Sequence, residues 1–129
     1  MPEQKSSTIS DVVKFSIPEL SVDQGIFSAA AGKAYSKFIP VALNADGKYV
    51  PTNPNAAEGS ETEKVTVGIL MKEIATDTNA RDVRVSVLRR MARISLDHIN
   101  WSAATWTDAQ KTAAKEELAA LFIVKATEA

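Results

Sequence analysis

Three short runs dominate the middle of the chain: Val65-Thr66-Val67-Gly68-Ile69-Leu70, Val85-Ser86-Val87-Leu88 and Ile99-Asn100-Trp101. β-Branched side chains lose rotamer freedom in a helix and pack well on a pleated surface, so such runs favour strands. They are too short for buried helices. A chain built around them must pair these runs into a sheet, which commits it to a mainly β fold of short strands.

One helix is well marked, and it comes late. Thr107-Asp108-Ala109-Gln110 fits a capping box, with the Thr107 hydroxyl on the backbone three residues on and Gln110 reaching back. Asp108 suits the positive end of that helix. Ala114, Leu118 and Leu121 share one face at i, i+4, i+7. Phe122-Ile123-Val124 then returns to strand character, and residues 125–129 form a polar tail. The expected class is mainly β (α+β), with one C-terminal helix.

Upstream, residues 1–10 are polar and Ser/Thr-rich and read as disordered in isolation. In Val12-Val13-Lys14-Phe15-Ser16-Ile17-Pro18, the apolar Val13, Phe15 and Ile17 alternate with polar residues, the period of an extended strand with one apolar face. Pro18 stops it. Ser28-Ala29-Ala30-Ala31-Gly32-Lys33 is small and flexible. The pattern predicts a flexible N-terminal arm over residues 1–34 and a compact domain over 35–129.

Within that domain, Phe38-Ile39-Pro40-Val41-Ala42-Leu43 and Lys48-Tyr49-Val50 flank Asn44-Ala45-Asp46-Gly47, whose Asp-Gly tolerates positive φ. A hairpin is expected. Residues 51–64 are rich in Pro, Asn, Gly, Ser and Glu and read as an exposed loop. Residues 65–74 predict one nearly continuous buried strand, with Gly68 marking a bulge or a close backbone approach. Val83, Val85 and Val87 alternate with polar residues; Ile94 and Leu96 alternate in a shifted phase. A turn over residues 89–92 joins the two, giving a second hairpin.

The length, 129 residues, suggests one domain, and 45% apolar residues is the composition of a soluble globular protein. There is no cysteine, which excludes disulfides and thiol catalysis. No apolar run approaches the length of a membrane span, and residues 1–10 lack the apolar centre of a signal peptide. A net charge of -1 gives no global attraction to nucleic acid or an anionic membrane.

Charge is uneven in one place. Arg81, Arg84, Arg89, Arg90 and Arg93 crowd one window with Asp82 as its single acid. Two readings stand: an anion or nucleic-acid site on a basic hairpin, with Arg89 and Arg90 as the candidate contacts, or a solvated polar face. Neighbouring lysines and stacking aromatics are missing, which favours the second.

Catalytic signatures are sparse. His98 is the only histidine, and its parity with Ile94 and Leu96 suits a packed residue better than a base. No serine sits in a nucleophile-elbow spacing, and the five glycines form no phosphate-binding loop. Glu58, Glu61 and Glu63 lack the spacing of a known calcium loop. No metal, cofactor or catalytic residue is expected. Trp101 and Trp106 bracket a loop, where tryptophan caps a core or fills an interface more often than it stacks a ligand; with Tyr49 they are candidate interface residues.

From about residue 28 to 124 the chain resembles the lambda-type head decoration proteins of tailed phages. The pieces fall in order: Ala30-Ala31-Gly32, Pro40-Val41-Ala42-Leu43, Gly47-Lys48-Tyr49-Val50, Val67-Gly68-Ile69-Leu70, Val85-Ser86-Val87-Leu88, Arg93 through Trp101, the helix from Thr107 and Phe122-Ile123-Val124. The first 27 residues carry no assignable match. The resemblance implies a β-clip-like or tulip domain that forms homotrimers on the major capsid protein lattice. It implies seating at local three-fold positions on the outer surface of the virion, after assembly in the host cytoplasm, with no membrane or nucleic-acid partner. It further implies a capsid-binding arm, here Val12, Val13, Phe15 and Ile17, that adds a strand to capsid β structure. The alternative is a small nucleic-acid-binding module using the basic segment from Arg81 to Arg93. A hydrolase built on His98 is a distant third.

Overall fold

A computed structural model describes residues 13–15, 21–90, 92–94, 99–121 and 123–125. Among these are strands β1 (Val13–Phe15), β2 (Val22–Ala29), β3 (Pro40–Leu43), β4 (Tyr49–Pro51), β5 (Gly68–Leu70), β6 (Arg81–Leu88), β7 (Ala92–Ile94) and β8 (Ile123–Lys125). A 3-10 turn spans Glu61–Lys64, and α1, the α-helix fully within the described residues, spans Asp108–Ala120. The domain is mainly strands with one C-terminal helix, as the run pattern predicts.

Five strands close into a barrel in the order β2-β4-β3-β5-β6, and β1-β7-β8 form a separate three-stranded sheet. The long seam of the barrel is β2 against β6, antiparallel from Val22↔Leu88 to Ala29↔Arg81. Strand alternation then sorts side chains into two cores. Phe27, Tyr35, Ile39, Val41, Tyr49, Leu70, Val85 and Val87 fill the first cluster. Phe38, Ile69, Leu88, Ile99, Leu118 and Ile123 form the second, where barrel residues meet α1 and β8. Ile69 and Leu70, adjacent in sequence, thus serve different cores, and so do Val87 and Leu88.

The first hairpin forms as expected. Asn44 Oδ1 accepts from the backbone of Asp46 and Lys48, both at 3.0 Å, and Gly47 takes φ +76. The capping box also forms: Gln110 N–H donates to Thr107 Oγ1 at 3.1 Å and Thr107 N–H to Gln110 Oε1 at 2.9 Å. Ala114 and Leu118 are the buried helix residues.

Four expectations are corrected. Val22–Ala29 is a barrel strand, so the compact domain includes residues that the small-residue pattern assigns to the arm. Gly25 is small there because a Cβ would meet Tyr49 Cε2 at 2.5 Å. The strand expected over 65–74 is only three residues long, Gly68–Leu70, with Ile74 in an isolated bridge to Tyr35. The strand expected from Phe38 starts at Pro40, because Phe38 adopts φ +70 and turns its ring, 3% exposed, into the second core while Ile39 enters the first. Finally, β6 and β7 do not form a hairpin: β7 pairs with β1 and β8 instead.

Candidate functional site

Binding by strand addition requires an edge, and among the described residues the small sheet ends on two strands. In the order β1-β7-β8, β1 and β8 are terminal. β7 pairs antiparallel with β1 through Val13↔Ile94 and Phe15↔Arg93, with an irregularity between, and parallel with β8 through Ala92↔Ile123 to Ile94↔Lys125. The alternating segment around Val13 and Phe15 is therefore a strand, but one already joined along one side to its own domain. Its other side has no strand partner among the described residues. Val12 and Ile17 of the expected arm lie outside the described residues, and so does His98.

The arginines do not converge on one face. Arg81 and Arg89 stand eight residues apart along β6 and its continuation, roughly 26 Å in extended chain. Arg81 donates to the Ala75 carbonyl at 2.9 Å and lies 3.6 Å from Asp77. Asp82, the acid inside the window, pairs with Lys48 at 2.9 Å. Arg93 heads no basic hairpin, since its strand belongs to the other sheet.

Arg89 and Arg90, the candidate anion contacts, meet an anion of their own chain. Arg90 grips Asp23 with two bonds, Nη1 to Oδ1 at 3.0 Å and Nη2 to Oδ2 at 2.7 Å. Arg89 Nη1 sits 3.9 Å from the same carboxylate and donates to the Tyr49 hydroxyl at 2.8 Å. Its guanidinium also lies 5.7 Å from the Tyr49 ring centroid. The Arg90 hydrogen bonds hold the Asp23 carboxyl below the usual carboxylate range against the opposing cost of burial, with the Arg90 and Arg89 charges adding to the fall. Asp23, Tyr49 and Arg89 line a cleft of about 430 Å³ beside β2. Tyr49, a candidate interface residue, is only 5% exposed and belongs to the first core.

Trp101 and Trp106 contact each other edge to face, centroids 4.8 Å apart at 66°. Rings already in contact leave no slot between them for a sugar or a base. Both are half-buried; Trp101 packs against the second core and carries Lys111 Nζ 5.8 Å above its ring.

The acidic loop is tied down by its own backbone. Glu61 Oε2 accepts from Gly59 N–H at 2.9 Å, which lowers the Glu61 pKa. Thr66 Oγ1 donates to Thr52 Oγ1 at 3.1 Å in a buried pair, and Asn53 N–H donates to the Glu63 carbonyl at 2.8 Å. Glu117 of the helix accepts from Thr66 N–H at 2.9 Å and fastens α1 to the segment that leads into β5. No sequence spacing signals that contact, since the partners are far apart in the chain. Among the described residues no group of three or more acids, histidines or cysteines is placed to hold a metal ion, and no helix is long and apolar enough to cross a membrane.

A closed barrel, a capped helix and a small sheet that ends, among the described residues, on β1 and β8 define a small β-rich domain. The family model for bacteriophage lambda head decoration protein D matches residues 3–123, most of the chain, and the chain belongs to that family. The match begins well before the motifs that carry the resemblance. This is a family of structural phage proteins and not of enzymes; membership supports a capsid-decorating role and a place on the virion capsid. No curated protein matches the chain.

Proposed function

We propose that this chain is a non-enzymatic cement protein that binds the outside of a mature phage head as trimers at local three-fold positions. Its arm works by β-augmentation: β1 lends its outer edge to β structure of the major capsid protein. The carrying observation is that a chain of this family ends its small sheet on β1. The Trp101–Trp106 pair is a second candidate contact, half-buried already and apolar.

The magnitudes favour such an arm. Ordering six residues, Val12 to Ile17, costs roughly 6–12 kcal/mol. Four or five ladder hydrogen bonds return about 1 kcal/mol each. Burying Val13, Phe15 and Ile17 adds about 1.5–3 kcal/mol apiece. One arm nearly breaks even. Because Val13–Phe15 is already extended against β7, part of the ordering cost, roughly 3–6 kcal/mol for three residues, is met before docking. Three arms on one trimer then gain avidity of about 10²–10⁴.

Deletion of residues 1–18 tests this. Both described cores draw on residues from Val22 onward, so the truncated protein should keep its fold and its mass in solution. It should fail to cosediment with expanded heads. Full occupancy of heads by the truncated protein would defeat the arm mechanism.

A further inference from the structure

Two covalent crossings between the barrel and the small sheet leave from one place. β2 begins at Val22 and β6 ends at Leu88, and these two residues are register partners. One step beyond, the carbonyl of fully buried Ser21 accepts from Arg89 N–H at 2.8 Å and, more weakly, from Arg90 N–H at 3.4 Å. The seam thus continues past both strands to the point where the chain turns toward β7, which starts two residues after Arg90. There Arg90 folds back onto Asp23 in a two-pronged grip, the geometry in which a planar guanidinium fixes direction as well as distance.

We propose that Asp23 and Arg90 form a positioning clamp that sets the small sheet, and with it the edge of β1, relative to the barrel. Both side chains are partly exposed, 37% and 36%. An ion pair so exposed adds little to global stability. Its consequence is local: fixing Arg90 at both its backbone N–H and its guanidinium fixes the approach to Ala92, and β7 carries β1 on one side and β8 on the other. Arg89 backs the clamp from inside, its guanidinium held by the Tyr49 hydroxyl and ring. The link to head binding rests on the decoration reading above; the clamp itself does not.

Hydrogen exchange on the free, full-length protein tests the clamp. In Asp23→Asn, which keeps the shape and removes the charge, β7 amides should exchange at least tenfold faster while those of Val85 and Val87 in β6 stay unchanged. Arg90→Gln should do the same, and the double variant should do no more than either single one, because the two groups act as a unit. Arg90→Lys, which cannot grip with two prongs, should fall between. Unchanged β7 exchange in Asp23→Asn and Arg90→Gln would overturn the clamp, as would acceleration spread equally over β6. Cosedimentation of the same variants with heads separates the two ideas. Faster β7 exchange with reduced occupancy supports both; faster exchange with full occupancy keeps the clamp and overturns its role in presenting the edge.

Discussion

Gly68→Ala is the sharpest probe of how this barrel is packed. Gly68 starts β5, between β3 through Val41 and β6 through the neighbouring Ile69↔Leu88 pair. A Cβ built there would lie 2.6 Å from the Leu88 carbonyl oxygen and 2.6 Å from Val87 Cγ1, with Arg89 Cδ at 3.2 Å. The first of these is backbone, so relief cannot come from a rotamer change. Either β5 moves off β6 or the ladder distorts, in a place where Val87 and Leu88 are fully buried and serve separate cores. Overpacking of this kind costs about 1–3 kcal/mol, with the disturbed ladder bond adding about 1 kcal/mol. Alanine also restricts the unfolded chain, which offsets about 0.4–1 kcal/mol. The net loss is about 1–3 kcal/mol, or a midpoint lowered by about 4–11 °C for a chain of this length. Thermal denaturation followed by circular dichroism, with urea unfolding as a check, reads it directly. A midpoint unchanged within 1 °C would refute the close approach of β5 to β6.

Two further outcomes follow from local geometry. Thr107→Ala removes the reciprocal cap of α1 and should cost about 0.5–2 kcal/mol, a fall of about 2–7 °C in thermal midpoint. Asp23 has its folded-state pKa lowered by Arg90, so its contribution is present above the ordinary aspartate pKa of about 3.9 and is lost as pH falls through the lower folded value. The difference in midpoint between the natural protein and Asp23→Asn should therefore be small but measurable at neutral pH and shrink as pH is lowered below the ordinary aspartate range; a difference that does not change with pH would mean the charge is not its source.

What was legible in the sequence was what is decided locally. The Asn44–Gly47 turn and the Thr107 cap are made by side chains within four residues of the groups they satisfy, so their chemistry is visible in the string. The choice of strand partner is not local. Val83 to Leu88 reads correctly as a strand, yet nothing near it says that its partners are β2 and β5 and not the strand that follows. β2 itself was hidden because Gly25 and Ala29 look like linker residues; Gly25 is required by a ring, Tyr49, from another strand. The arginine window misled for the same reason: the acid that answers Arg90 is Asp23, 67 residues away. Phe38 at positive φ could not have been read at all, since a bulky residue there is held by tertiary contacts, including its own N–H on the Leu70 carbonyl at 2.7 Å.

The arm mechanism has two forms, and the chain's lack of cysteine makes them separable. β1 can stay on β7 and offer its outer edge, or it can leave β7 and pair with capsid protein alone. Among the described residues three hold it: their ladder bonds, about 1 kcal/mol each, scarcely exceed or fall below an ordering cost of about 1–2 kcal/mol per residue, so these bonds alone do not forbid departure. Val13 and Ile94 are register partners, and opposed residues in an antiparallel pair stand about 4.5–5.5 Å apart between Cα atoms, within disulfide range. Val13→Cys with Ile94→Cys, oxidised, therefore locks β1 to β7. With the outer edge as the docking element, the locked protein should decorate heads as fully as the reduced one, and faster at low concentration because the segment no longer frays. Loss of decoration on oxidation, restored by a reductant, would show that the arm must let go of its own domain before it can grip the shell.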